Sequence, residues 1–274
     1  MTAPRSGEPP GTLYVVERAG TIWKVKDDRA LFLSAEVSCC TGERGLHSIA
    51  FDPDYAANGL LYVGFTNLAG NTRVLRFRAN PDRTGVVLES RRLLLRVRQP
   101  DPFHNGGRLQ VGRNGRLYVG LGDGGGVCDP NGLAQKLWRR HGSLLSLDPR
   151  RLAQGWRVAS GTPTRGGAET CPDARLRGPG RRVLPITVYG RKAGCAVIGG
   201  HVYRGRALKR QRGWYFFGDH CTGRIWRLLY RDGEVTRKRR LVVDSDLRLT
   251  SVGEGVNGEI HVTDRDGGVY RLVR

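Results

Sequence analysis

Five times in 274 residues this chain repeats one short cassette: a small residue, a few apolar strand positions that mostly carry an aromatic, a polar or glycine-bearing turn, and a second apolar strand. The copies are Thr12–Val25, Leu60–Thr66 with Arg73–Phe77, Arg116–Leu121 with Gly142–Leu147, Gly213–Leu228, and Gly258–Leu272. Each copy alone is a small sheet with open edges and half a core. Radial repetition buries those faces against neighbouring copies, which is the logic of a β-propeller. No stretch sustains an apolar period of 3.6 residues, and Ala134 to Trp138 makes at most a short helix. The expected fold is all-β, a single propeller domain over residues 1–274, with residues 1–10 disordered or trimmed. Residues 153–182, rich in Gly, Pro, Thr and Arg, are expected to form a long irregular loop.

Within this framework the densest segment is Phe103–Gly126. Leu109–Val111 and Leu117–Leu121 read as paired strands, and Arg113–Arg116 as a hairpin turn with Asn-Gly at its centre. His104 then sits on a glycine-rich turn at the mouth of a strand, where loops on a rigid scaffold carry function. Asp123 lies inside a second glycine-rich turn and is read first as a turn residue bonding backbone amides. Gly120–Gly125 contains a G-x-G-x-x-G string, yet no helix follows to offer its N-terminus to a pyrophosphate, so a dinucleotide site is excluded.

The six cysteines show no C-x-x-C and no zinc spacing, which points to disulfides in an oxidising compartment, extracellular or periplasmic. The neighbours Cys39 and Cys40 are expected to pair outward with different partners; Cys40 with Cys128 is one such pair. His47, His141, His201, His220 and His261 show no ligand spacing among themselves and are read as surface or turn residues, so no metal ligand is assigned. No run approaches the roughly 18–20 apolar residues of a membrane span, and no signal peptide is visible in Met1–Pro10. The formal charge of +21 comes from 46 basic residues against 25 acidic ones, and only six of the 46 are lysine. They scatter along the chain, with the densest run at Arg237–Arg240. Nucleic acid is not the expected partner; an acidic polysaccharide is retained as one.

These residues resemble the soluble quinoprotein glucose/sorbosone dehydrogenases and their Hedgehog-interacting-protein-like relatives. The resemblance rests on Gly42–Leu46 with Ala50–Tyr55, His104–Leu109, Gly120–Gly126, Val183–Gly190, Gly194–Gly205 and Phe217–Ile225, six motifs in the family's order. It implies a six-bladed propeller holding pyrroloquinoline quinone (PQQ) with Ca²⁺. It also implies that His104 is the catalytic base taking a sugar hydroxyl proton as hydride leaves for the quinone, and that Glu43, His104 and Asp123 line the cofactor site. Histidine suits that task because imidazole exchanges protons near neutral pH. The substrate implied is a sugar or related alcohol or aldehyde, with an external electron acceptor. Cys195 and Cys221 lie in adjoining motifs and are expected to be bridged.

The departures from the family are specific. Between Pro149 and Gly155 only about five residues stand where the family inserts a blade, so one blade is expected to be deleted or degenerate, leaving five recognisable sheets. The turns that supply an arginine, an asparagine and a calcium site in active relatives go with it. A lysine on the quinone is replaced near Cys221, and the family's Leu-Gly pair is His47-Ser48 here. The alternative function is therefore a non-catalytic propeller that binds a protein or an acidic glycan.

Overall fold

The computed structural model describes residues 1–126, 129–136, 138–149, 155–160 (as backbone only), 186–190 and 192–273. Five antiparallel sheets are formed among them, each a meander of sequential strands. The first is β1 (Leu13–Glu17), β2 (Thr21–Val25) and β3 (Arg29–Ser34). The second is β4 (Leu46–Phe51), β5 (Leu60–Thr66), β6 (Thr72–Ala79) and β7 (Val86–Val97), with the one-turn helix α1 (Tyr55–Asn58) between β4 and β5. The third is β8 (Arg108–Val111), β9 (Leu117–Gly120), β10 (Ser143–Leu147) and β11 (Gly155–Ser160). The fourth is β12 (Val197–Val202), β13 (Tyr215–Asp219), β14 (Ile225–Arg231) and β15 (Glu234–Val243); the fifth is β16 (Leu249–Glu254), β17 (Ile260–Asp264) and β18 (Val269–Arg271). Two compact units divide the chain: Tyr14–Leu184, and Met1–Leu13 with Pro185–Arg274.

In the unit Tyr14–Leu184, sheets pack face against face. Tyr14, Ile22 and Phe32 of the first sheet share one cluster with Leu46, Ile49, Phe51, Val63 and Phe77 of the second. The opposite face of the second sheet, with Tyr62, Val74 and Leu95, meets Leu109, Val119 and Leu145 of the third. A strand covered on both faces must be apolar at successive positions, which is why β5 reads Leu-Leu-Tyr-Val-Gly-Phe-Thr and is buried almost throughout. Each fully buried Val, Leu or Phe contributes roughly 1.5–3 kcal/mol. Asp52 secures the base of this sheet: its Oδ2 accepts from the Tyr62 hydroxyl at 2.7 Å and its Oδ1 from Asn58 Nδ2 at 2.9 Å. The outer strand β7 is largely exposed and arginine-rich, as edge strands that avoid pairing with other chains tend to be.

The other unit repeats the plan. Tyr203, Phe216 and Ile225 of the fourth sheet and its flank pack with Leu249, Val252 and Ile260 of the fifth. Two buried carboxylates fasten its loops. Glu259 accepts from Tyr203 Oη at 2.7 Å and from the amides of Arg206 and Ala207. Asp219, fully buried, accepts from Tyr189 Oη at 2.8 Å and from the amides of Ala196, Cys221 and Thr222. Those bonds hold its carboxyl below the ordinary range against the opposing effect of burial, and burial followed by the Asp219 bond pushes the Tyr189 phenol up.

The expected Cys195–Cys221 disulfide is present. It closes a loop of 26 residues in sequence separation, so the double variant Cys195→Ala/Cys221→Ala is expected to lose about 3 kcal/mol of stability in denaturant unfolding. Cys39 and Cys40, expected to pair outward, are instead bonded to each other. That also removes Cys40 as a partner for Cys128, which lies outside the described residues together with Cys171. The Asn-Gly hairpin is as expected, joining β8 and β9 in the register Leu109↔Val119. Gly155–Ser160, placed by composition in the irregular stretch, pairs with β10 as a fourth strand; the rest of 153–182 lies outside the described residues. Thr2 forms a bridge, and a Cβ on Gly253 would meet the Met1 carbonyl carbon at 3.0 Å, so the start of the N-terminal segment lies along β16.

Candidate functional site

Three loops meet at the leading ends of β4 and β8: Thr41–Gly45, Phe103–Gly107 and Leu121–Gly126. Glu43, His104 and Asp123, the three residues singled out in the sequence, come together there. Asp123 Oδ1 lies 3.2 Å from His104 Nδ1 and also accepts from the Gly125 amide at 3.1 Å. Glu43 Oε2 accepts from the backbone amide of His104 at 2.7 Å, and Glu43's own amide donates to the Pro102 carbonyl at 2.9 Å. His104 has φ of 54°, in the left-handed region a non-glycine residue seldom enters. Such a conformation persists only where the surroundings over-determine it.

The surroundings do so. Asn105, fully buried, donates from Nδ2 to the carbonyls of Asp101 and Phe103 and braces the turn from inside. The Gly124 amide donates to the His104 carbonyl at 3.0 Å, and that of Gly107 to Gly120 at 2.8 Å, interlocking the two glycine-rich loops. Gly122 must be glycine: a Cβ there would overlap the His104 carbonyl oxygen and stand 2.7 Å from its carbonyl carbon. The Thr41–Gly45 loop is clasped by Arg18, whose guanidinium donates to the carbonyls of Gly42 at 3.0 Å and, just before the loop, Cys40 at 3.2 Å.

Beneath the histidine turn lies His47. Its Nε2 is 3.0 Å from the hydroxyl of buried Thr66, and its ring stacks so close to Gly107 that a Cβ there would meet Cδ2 at 3.0 Å. Burial, then the charge of Arg18, push its imidazole down to about 4. It is neutral at working pH. The expectation of surface or turn roles for the other histidines fails for His201 too, a strand residue 5% exposed, whereas His141, 7% exposed, does sit in a turn. His141 Nε2 is 2.9 Å from the Arg98 carbonyl, and His201 Nδ1 is 3.7 Å from Glu254. Polar residues at inward strand or loop positions are invisible to a composition-based reading, since the type alone argues for the surface.

The geometry of the pair His104–Asp123 is one that can move a proton. A carboxylate on Nδ1 favours the tautomer with hydrogen on that nitrogen, leaving the Nε2 lone pair to accept a proton, and it stabilises the imidazolium that results. The imidazole is 44% exposed while Asp123 is 21% exposed, so the ring is open to solvent and the carboxylate more covered. Among the described residues, one trio of Cys, His, Asp or Glu lies close enough to hold a metal, Cys195–Asp219–Cys221, and its two sulfurs are already joined.

Comparison with known proteins gives three results. The family profile described as glucose/sorbosone dehydrogenase matches residues 7–165. The Hedgehog-interacting protein of Mus musculus is 31% identical over 169 residues, covering 54% of this chain and 24% of that protein. The Homo sapiens protein is 37% identical over 118 residues, covering 39% and 17%. The matches therefore span a quarter or less of these relatives. Among solved structures, a glucose dehydrogenase aligns with TM-score 0.73 at 21% identity, covering 96% of this chain and 92% of that one. The soluble aldose sugar dehydrogenase of Escherichia coli in its apo form aligns with 0.72 at 17%, covering 97% and 94%. The PQQ-bound aldose sugar dehydrogenase of Streptomyces coelicolor aligns with 0.70 at 16%, covering 99% and 93%. The fold is thus all-β, of the propeller type these dehydrogenases share.

Proposed function

The chain belongs to the glucose/sorbosone dehydrogenase family, which its match over residues 7–165 establishes, and from that premise we propose that it is a PQQ-dependent sugar dehydrogenase-like protein with His104 as its base. The observation that carries this reading is the meeting of His104 Nδ1 with Asp123 Oδ1 at 3.2 Å, with Glu43 on the His104 amide. The substrate class is a sugar or a related alcohol or aldehyde, and an external acceptor reoxidises the cofactor. The disulfide Cys195–Cys221 supports an extracellular or periplasmic setting. No helix among the described residues is long and apolar enough to cross a membrane.

His104 Nε2 would take the hydroxyl proton, and Asp123 would hold the imidazole at the angle required and steady its positive charge. Glu43 acts one step back by fixing the backbone from which the imidazole projects. When bound, the quinone supplies the electron sink that receives the hydride. The donor set fits the proton-accepting half of that chemistry. It names no cradle for the quinone's carboxylates: Glu43 and Asp123 are themselves acidic, and the Arg18 guanidinium is already bonded to the carbonyls of Gly42 and Cys40. We therefore assign no described residue to those carboxylates or to Ca²⁺.

Absorbance titration with PQQ and Ca²⁺ tests the reading. Expected are binding at micromolar quinone and aldose-dependent dye reduction that His104→Ala abolishes; no binding in that range overturns it. A second reading, a non-catalytic propeller that binds a protein or an acidic glycan, is supported by the 31% identity to a Hedgehog-interacting protein. In that case partner binding survives His104→Ala.

A further inference from the structure

The two disulfides among the described residues differ in what they close. Cys195–Cys221 spans 26 residues, and the chain beside each cysteine is held independently, since Asp219 accepts from the amides of Ala196 at 2.8 Å and Cys221 at 3.0 Å. Cys39–Cys40 has a sequence separation of 1 and closes no loop. A disulfide stabilises a fold chiefly by shortening the loops of the unfolded chain, so a bond between neighbours contributes next to nothing by that route. Its constraint is local, and it falls on the residues that lead straight into Thr41–Gly45. The Ser38 amide is fastened to the Thr66 carbonyl and the Leu46 amide to that of Arg18, both at 2.9 Å, and no strand or helix forms between them. One guanidinium couples the disulfide to the loop: Arg18 donates to the carbonyl of Cys40 at 3.2 Å and, two residues on, to that of Gly42 at 3.0 Å. The loop in turn grips the histidine turn twice, through the Glu43 amide on the Pro102 carbonyl at 2.9 Å and through Glu43 Oε2 on the His104 amide at 2.7 Å. Cys40 is exposed and Cys39 half-buried, so the bond is open to attack from solvent.

We propose that Cys39–Cys40 is a thiol-exchange site, a covalent latch whose reduction by an external dithiol lets Glu43 leave the His104 amide. One thiolate of the dithiol attacks the sulfur of exposed Cys40; the S–S bond breaks, and Cys39 departs as a thiolate that takes a proton from water. The second thiol of the reductant, deprotonated, attacks the mixed disulfide. Cys40 is released and protonated, and the reductant closes to its own disulfide. In net, two electrons and two protons pass from the dithiol to the protein. Cys39 and Cys40 then regain backbone freedom, which opposes any ordered loop. The Cys40 carbonyl leaves its place on Arg18, and the Gly42 clasp and the Glu43 contact lose their register with it. His104, with φ of 54°, is left without one of the contacts that over-determine its left-handed backbone. An exposed bond that closes no loop is of the kind thiols reduce readily, whereas a loop-closing bond is stabilised by the fold as much as it stabilises the fold. The latch operates whether or not His104 turns over a sugar, so it does not rest on the quinone reading.

Dithiothreitol is the probe, raised in steps on the intact protein, with alkylation and peptide mapping to locate the opened cysteines and ¹H–¹⁵N spectra to follow the amides. Cys39 and Cys40 are expected to open at a dithiothreitol concentration at least about tenfold below that which opens Cys195–Cys221. At that step the His104 amide resonance is expected to shift, because its charge-assisted bond to a carboxylate is lost. The midpoint of denaturant unfolding is expected to stay where it was. Cys39→Ser/Cys40→Ser is expected to put the His104 amide where reduction puts it and to make it blind to low dithiothreitol. If that variant fails to fold, the reduced natural chain carries the measurement alone. Opening of Cys195–Cys221 first overturns the proposal. So does an unmoved His104 amide once Cys39 and Cys40 are fully reduced, and so does a midpoint that falls with them, since the bond is then a structural staple. None of these readouts uses the quinone, so the two readings fail separately.

Discussion

Gly122→Ala is expected to cost about 2–3 kcal/mol of stability and to pull Asp123 away from the His104 imidazole. The atoms in the way are the carbonyl oxygen of His104, its carbonyl carbon at 2.7 Å and its Cα at 3.3 Å, all of them backbone. No rotamer change relieves such a clash. Either the His104 turn or the Gly120–Gly126 loop must shift, and the bonds Gly124–His104 and Gly107–Gly120 that interlock them are strained together. Denaturant unfolding measures the first effect. The ¹⁵N shifts of the His104 ring, which report whether hydrogen sits on Nδ1, measure the second. An alanine variant with unchanged midpoint and unchanged ring shifts would show that the loops are not locked as described.

Acid is expected to weaken the protein through His47. Its folded-state imidazole is pushed down to about 4, whereas an unfolded histidine titrates near 6.5. Between these values the unfolded chain binds the extra proton, so stability is fully present above about pH 6.5 and falls as pH drops toward 4. The loss from this one residue amounts to up to about 3 kcal/mol. His141 and His261 are also drawn down by burial and contribute with the same sign. His47→Leu isolates the effect: unfolding free energies measured from pH 7 to pH 4 should decline less steeply in the variant. Parallel pH profiles would show that His47 takes up its proton without cost.

Much of this was readable in the sequence, for physical reasons that differ from residue to residue. The cassettes announce themselves because a strand covered on both faces needs successive apolar positions, as in β5, and because an Asn-Gly pair closes a two-stranded hairpin at one place. His104, Glu43 and Asp123 stand in recurring motifs, so their convergence was expected. What each does there was less accessible. The family motif places Glu43 near a cofactor, and the structure adds that its carboxylate accepts from the His104 amide, a contact set by a left-handed backbone conformation that no residue type announces. The Cys39–Cys40 bond escaped because adjacency in sequence argues for separate partners unless the local backbone geometry is known. β11 escaped because an edge strand needs little apolar patterning of its own; its pairing with β10 defines it.

Glu43 reaches His104 from the loop that leads into β4 of the second sheet, while Asp123 reaches it from the loop that leaves β9 of the third. The His104 turn therefore bridges the seam between two sheets, its backbone amide tied to the loop entering the second and its imidazole to the loop leaving β9 of the third. Its aim registers how those sheets are seated on each other, much as a needle reports the alignment of the two plates that hold it. The packing of Tyr62, Val74 and Leu95 against Leu109 and Val119 is thus more than a store of stability. It also sets the aim of the imidazole, and a chain that kept every bond in its loops but let that seam slide would point His104 elsewhere.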